Sequence, residues 1–256
     1  MVTDQTAWSP ASFWQEHGVH VGAVVVGALL FRLLASWLTL KLKDRFKEHD
    51  LSIAVYRLTG LVHHTIQVPV AFYVLMDKRM WADRLYSSTP LSTSMAIISA
   101  AYFVHDMIHS LEHYNVQGMS YVIHGLGCAC IYMYALFQTP TVLHLYGAGF
   151  LMWELSSFPV HFRWFMFKMG APPNVALING LVLIVTFFGA RIVWGFYISY
   201  YFFVDVFSFW AVNPTFTIIC SSCCTAITIL NIWWFYLILH KAVLTLTGQD
   251  SFGKRD

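Results

Sequence analysis

The chain has 256 residues, of which 58% are hydrophobic and 11% charged, and its mean hydropathy is +0.60. A soluble domain runs nearer half apolar and about a quarter charged, so this composition excludes an ordinary soluble enzyme and allows one integral membrane domain. A formal net charge of +2 without a basic stripe argues against a nucleic-acid partner.

Residues 1–18 read as an N-terminal tail; Asp4 and Glu16 lie there without Lys or Arg, so the basic region of a signal peptide is missing. The run Val19 to Leu40 is long enough to span and reads as an uncleaved anchor. It opens a segment, 19–50, that ends in a basic loop with Lys41, Lys43, Arg45 and Lys47. Further spans are expected at about 53–76, 91–111, 120–137, 141–158, 176–203 and 215–239. The fourth and fifth are short, separated by Gln138-Thr139-Pro140, and fit a tight hairpin or a partly re-entrant pair. The sixth is over-long, which predicts tilt or a break near Gly195. Phe162 to Lys168 suits an interfacial helix, and residues 246–256 form a C-terminal tail.

The expected fold is therefore all-α: a polytopic bundle of about seven transmembrane helices, with six to eight as the range, and its main domain at 51–245. With seven spans, Arg163, Lys168, Lys241, Lys254 and Arg255 join the first basic loop on one side, against Lys78, Arg79 and Arg84 on the other. The positive-inside rule then predicts a cytosolic C-terminus. Cys128, Cys130, Cys220, Cys223 and Cys224 all lie in apolar runs and read as small packing residues.

Ionisable residues inside these apolar runs carry the functional signal. Arg57, His63, His64, His105, Asp106, His109, His124, Glu154 and Arg191 all fall within expected spans. Such groups are costly in hydrocarbon and face a protein interior or a water-filled cavity. Arg57 and His64 are two helical turns apart and share a face; His63 lies about 100° round from His64, so one of the pair points at a common centre. His105 and His109 stand at i, i+4, a spacing that lets two imidazoles ligate zinc, with a third ligand to come from His124 or Asp106. His113 lies about 12 Å along the axis from His105, too far to join it. Asp106 needs a partner, expected to be His64, His124 or Arg191. Asn179 and Arg191 come from the sixth span, and Arg191 fits either an ion pair with Glu154 or Asp106, or a grip on a phosphate or carboxylate.

The runs His124-Gly125 to Tyr134, Trp153-Glu154-Leu155-Ser156-Ser157-Phe158-Pro159 and Phe162-Arg163-Trp164-Phe165 resemble the TLC-domain family. That family is named for TRAM, Lag and ceroid-lipofuscinosis proteins and includes the ceramide synthases. The stretches Ile178-Asn179-Gly180, Phe187 to Ile192 and Leu230 to Trp234 resemble above all its small TLC-domain-containing transmembrane proteins. The family's paired histidine would fall at His124-Gly125, where this chain keeps the first histidine and has glycine for the second.

The resemblance implies a bundle around a lipid-accessible polar cavity, in the endoplasmic reticulum or Golgi membrane, with membrane lipids as partners and a homodimer allowed. It implies acyl transfer to or from a lipid, such as a sphingolipid, ceramide or phospholipid. His124 would be base or nucleophile, with Asp106 or Glu154 fixing its tautomer. His63, His64, His105, Arg57, Arg191, Asn179 and Ser156 would hold the substrate, and no resident cofactor is expected, acyl-CoA being the co-substrate. Three other readings stand beside it: a non-enzymatic lipid binder or regulator of membrane composition, a zinc-dependent lipid amidohydrolase using His105 and His109, and a scaffold whose polar residues are structural.

Overall fold

The computed structural model describes residues 10–248; Asp4, Lys254, Arg255 and the outer parts of both expected tails lie outside the described residues. Within them the chain is helical, with no strand. The elements are α1 (Pro10–Leu42), α2 (Glu48–Met76), α3 (Lys78–Ala82), α4 (Pro90–Glu112), α5 (Tyr114–Gln117), α6 (Met119–Leu136) and α7 (His144–Leu151). A 3-10 turn, Met152–Ser156, leads into α8 (Ser157–Lys168); α9 (Pro173–Phe187) passes through a π turn, Phe188–Val193, into α10 (Trp194–Ser208), and α11 (Pro214–Leu246) ends the described chain.

Local chemistry sets these boundaries. Thr89 and Ser92 form a reciprocal capping box with Pro90 at the first helical position, so α4 starts where two orphan donors are satisfied and no amide hydrogen is lost. The Asn213 side chain accepts from the Phe216 amide, and Pro214 opens α11 in the same way. The Asp77 side chain caps α3, and the hydrogen bonds it accepts from Arg79 hold its carboxyl below the usual carboxylate range.

Six helical segments are long and apolar enough to cross a membrane: α1, α2, α4, α6, the α9–α10 rod and α11. The α7–α8 segment makes a seventh pass in broken form. It starts where His144 meets Ser92 of the α4 N-terminus at 2.9 Å and the Leu143 amide donates to the Leu85 carbonyl at 2.8 Å. It ends where Lys168 reaches Asp50, on the first turn of α2, at 2.7 Å. The α4 and α2 N-termini lie at opposite ends of the bundle, because α2 and α4 run antiparallel. The expected fifth span, 141–158, is thus two short helices hinged at a 3-10 turn rather than one rod, and it reaches the far end only through Phe162 to Lys168, which the sequence reading set apart as an interfacial helix.

Other edges also differ from the sequence reading. The expected tail at 10–18 is helix, because α1 begins at Pro10. That extension docks: Phe13 meets Phe137 edge to face, and Thr139 Oγ1 donates to Glu16 at 2.7 Å. Irregularity in the sixth span falls at 188–193, just before Gly195.

α4 and α6 sit at the centre, and α1 on the outside with Leu29, Leu30, Leu33 and Trp37 exposed for hydrocarbon contact. The α4–α6 approach is set by Gly125: a Cβ there would lie 2.9 Å from the Met107 Cα and amide nitrogen. Packing of large apolar side chains is concentrated toward the α4 N-terminal end, around Tyr146, Phe202, Met95 and Leu143. There Arg84 donates to both Asp205 oxygens at 2.8 Å, Tyr146 also donates to Asp205, and the carboxylate raises the Arg84 guanidinium above its ordinary value. The opposite, basic end carries Lys41, Lys43, Arg45, Lys47 and Lys168.

Candidate functional site

A cavity of about 580 Å³ opens at the basic end and runs inward between α2, α8, α9 and α11. That volume lies in the range of sites that enclose small organic ligands. Its mouth is lined by His49, Asp50, Arg163, Lys168 and Lys241, its walls by Tyr121, Trp164, Phe167, Leu183 and Trp234, and its floor by His64, His124, Glu154 and Arg191.

Glu154 organises the floor. The 3-10 turn presents its side chain inward, where it is 5% exposed. One carboxylate oxygen accepts from the Ser157 hydroxyl at 2.6 Å and from Arg191 Nη2 at 3.3 Å. His64 Nε2 stands 3.6 Å from that oxygen, and His124 Nε2 stands 4.0 Å from the other. Two imidazoles from different helices thus flank one carboxylate.

Arg191 is held on every side. Its Nε donates to Ser156 at 2.8 Å, Nη1 to Asn231 at 2.9 Å, and Nη2 to Ser157 at 2.9 Å as well as to Glu154. The π turn carries Arg191, and such turns gather at functional positions in helices. Of the two partners expected for Arg191, the structure selects Glu154. A buried pair like this is retained when its remaining donors are satisfied by neighbours, as here.

A second polar focus lies beside the floor. His161 stacks on His64, and its Nδ1 is 3.4 Å from Arg57 Nη1. A Cβ on Gly60 would meet His161 Nε2 and the Tyr102 hydroxyl at 3.1 Å and His64 Nε2 at 3.3 Å, so three polar atoms surround one point that only glycine leaves open. His161 Nε2, Arg57 Nε and His124 Nδ1 are buried without a hydrogen-bond partner. Buried polar atoms are normally paired, so these are the donors and acceptors at hand for a ligand's polar group or for water.

The cavity brings together His124, Glu154, His64, Arg57 and Arg191 from the set expected by sequence. Ser156 stands just behind, accepting from Arg191. The others turn elsewhere. Asp106 is buried against Gly125 and takes the Tyr102 hydroxyl at 3.5 Å; none of its three expected partners reaches it, because the α4–α6 contact encloses it. His63 lies behind His64, stacked on Tyr102 with centroids 3.9 Å apart, as the 100° offset requires. His105 stacks on Phe31 of α1, away from the cavity. Asn179 is buried outside the lining. Gly125, at the place of a second histidine, faces the α4 backbone and has no room for a ring.

Sequence reasoning missed His161, Tyr102 and Asn231. His161 had a findable signal: it stands seven residues after Glu154, two helical turns on, with Arg57 and His64 showing the same spacing in α2.

No solved structure matches the chain. An uncharacterised TLC domain-containing protein of Schizosaccharomyces pombe is 24% identical over 68% of this chain and 59% of its own length. TLC domain-containing protein 4-B of Danio rerio is 27% identical over 78% of this chain and 77% of its own. Topoisomerase I damage affected protein 4 of Saccharomyces cerevisiae is 24% identical over 78% of this chain and 70% of its own. The matched region thus spans less than two thirds of the S. pombe relative. The model of the TLC domain, labelled for TRAM, LAG1 and CLN8, matches residues 56–240, from the cavity wall of α2 to the last turns of α11. The chain belongs to the TLC domain family.

Proposed function

We propose that the cavity receives a membrane lipid or its acyl donor from the basic end and transfers an acyl group with His124. The observation that carries this reading is the placement of His124 and His64 on either side of Glu154, at the floor of a cavity walled by apolar and aromatic side chains. With Nε2 turned toward Glu154, the lone pair on Nδ1 remains available as base or nucleophile. Attack on a thioester would form an acyl-imidazole, break the carbon–sulfur bond and release the thiol, which takes the imidazole proton. An amine or hydroxyl acceptor would then regenerate the ring. Glu154 fixes the tautomer and steadies the imidazolium, while Arg191 fixes Glu154. Asp106, enclosed by α4 and α6, has no direct part in this scheme.

The basic mouth suits a phosphate-bearing donor such as acyl-CoA, and the positive-inside rule favours the cytosolic side for that mouth; an endoplasmic reticulum or Golgi membrane is what the family resemblance implies. Reconstituted protein tests the scheme. Intact mass with peptide mapping should find an acyl adduct on His124 after exposure to acyl-CoA, and H124A should abolish both adduct and product. Unchanged lipid species with H124A would sink the acyl-transfer reading.

A second reading is favoured by the Arg191–Glu154 pair, which neutralises the floor with internal partners alone. In it the cavity binds a lipid without altering it and the protein regulates membrane composition. Non-covalent lipid that copurifies with unmodified His124 supports this reading.

A further inference from the structure

Away from the cavity floor, the C-terminal turn of α4 gathers a second set of ligating groups. His109, Glu112 and His113 each offer one ligand atom, and these atoms all lie within 4.8 Å of one another; among the described residues this is the set of three such groups close enough to share an ion. The spacing i, i+3, i+4 places all three on one helical face.

Three further observations point to a ligand. His109 is 4% exposed, and its Nε2 has no hydrogen-bond partner. The His109 and His113 rings stack with centroids 4.3 Å apart at 25°, so the two imidazoles already lie side by side. The His113 Nδ1 is 3.0 Å from the His109 carbonyl, the outer-shell contact that fixes a tautomer with Nδ1–H and leaves Nε2 to ligate.

We propose that His109, Glu112 and His113 form a binding site for a zinc-class divalent transition-metal ion. Two imidazoles and a carboxylate are the donors such ions favour, whereas magnesium and calcium call for oxygen alone. Tetrahedral zinc with bonds near 2.0–2.1 Å sets neighbouring ligand atoms about 3.3 Å apart, so the groups must draw in by at most about 1.5 Å. The half-exposed His113 and exposed Glu112 side chains can make that move. Three protein ligands leave a fourth position open.

The site lies at the corner where α4 gives way to α5, and His113 is the residue between them. Tyr56 stacks on His109 with centroids 5.9 Å apart and also lines the cavity, so one ring separates the ion from the cavity wall. From α1, Arg32 donates to both Glu112 oxygens at 2.6 and 2.8 Å. That bidentate contact uses two of the carboxylate's roughly four lone-pair sites. Arg32 thus competes with a cation for Glu112, and ion binding is coupled to the docking of α1.

The test uses full-length protein in detergent, stripped with a chelator that is then removed. Zinc is counted by elemental analysis, and cobalt(II) is titrated for its tetrahedral absorption bands. The wild type should take up zinc stoichiometrically. H113A and E112Q, at sites that are not fully buried, should each weaken binding at least about tenfold, more than loss of an outer-shell partner costs. R32Q should tighten it. Failure of the wild type to bind either ion, or the same cobalt spectrum and affinity in H113A as in the wild type, overturns the proposal. None of these outcomes depends on the reaction proposed for His124.

Discussion

The imidazoles of His161 and His64 lie nearly parallel, 10° apart with centroids separated by 5.5 Å, although one comes from α8 and the other from α2. The stack ties the broken fifth pass to the second helix and aims His161 Nε2 at the point that Gly60 leaves open. His161 therefore lines the cavity, and a lipid bound there as proposed would meet its free nitrogen. H161F keeps a flat ring but loses both nitrogens. It should weaken lipid binding about fivefold, the worth of one hydrogen bond of about 1 kcal/mol, with little change in melting temperature. Native mass spectrometry of lipid occupancy checks this; equal occupancy in H161F would remove His161 from recognition.

Gly125 sets how closely α4 and α6 approach. G125A places a methyl group 2.9 Å from the Met107 backbone, which cannot swing aside as a side chain would. Overpacking of this kind costs about 1–3 kcal/mol, so thermal unfolding in detergent should show a clear drop for G125A and a larger one for G125H. An unchanged midpoint for G125H would mean that the helix pair is looser than described.

The Glu154–Arg191 pair should behave as one unit. E154Q or R191M alone leaves a buried charge with fewer partners and should cost about 3–5 kcal/mol. The double variant should cost clearly less than the sum, a coupling read from a double-mutant cycle on unfolding midpoints. Additive losses would mean that the two side chains are stabilised by separate surroundings.

At the other end of the bundle, Arg84 clasps Asp205 with two parallel hydrogen bonds. R84A should lower stability by about 1 kcal/mol, and R84K should recover only part, since an ammonium lacks the planar fork. Added salt should narrow the gap between R84A and the wild type, because the pair is partly exposed. A gap that is insensitive to salt would point to lost packing on Tyr201, over whose ring the guanidinium sits.

What could be read from the sequence follows the physics of each segment. Long apolar runs report their own burial in lipid, so six of seven passes were legible within a few residues at most edges, and Arg57 and His64 were assigned one face by spacing alone. The fifth pass was harder. Its two short helices join at a 3-10 turn, and no periodicity announces where a 3-10 turn will tilt Glu154. Nor does a single sequence say which neighbour a polar face meets. His105 and Asp106 look as polar as His124, yet one is turned to α1 and the other is sealed by α6. The C-terminal turn of α4 carried its own signal at 109, 112 and 113, which a search anchored on His105 passes over.

The π turn before α10 has a consequence for helical numbering. A wider turn takes up one extra residue, and each residue of an ordinary helix advances the face by about 100°. Residues of α10 are therefore rotated by roughly that angle from where a helical wheel drawn through α9 would set them. Arg191 sits in the insertion itself, so deleting one residue at Phe188 or Gly189 would restore a regular rod and swing the guanidinium off Glu154. An alignment that runs through this region without allowing for the insertion would pair lipid-facing residues of one chain with cavity-facing residues of another.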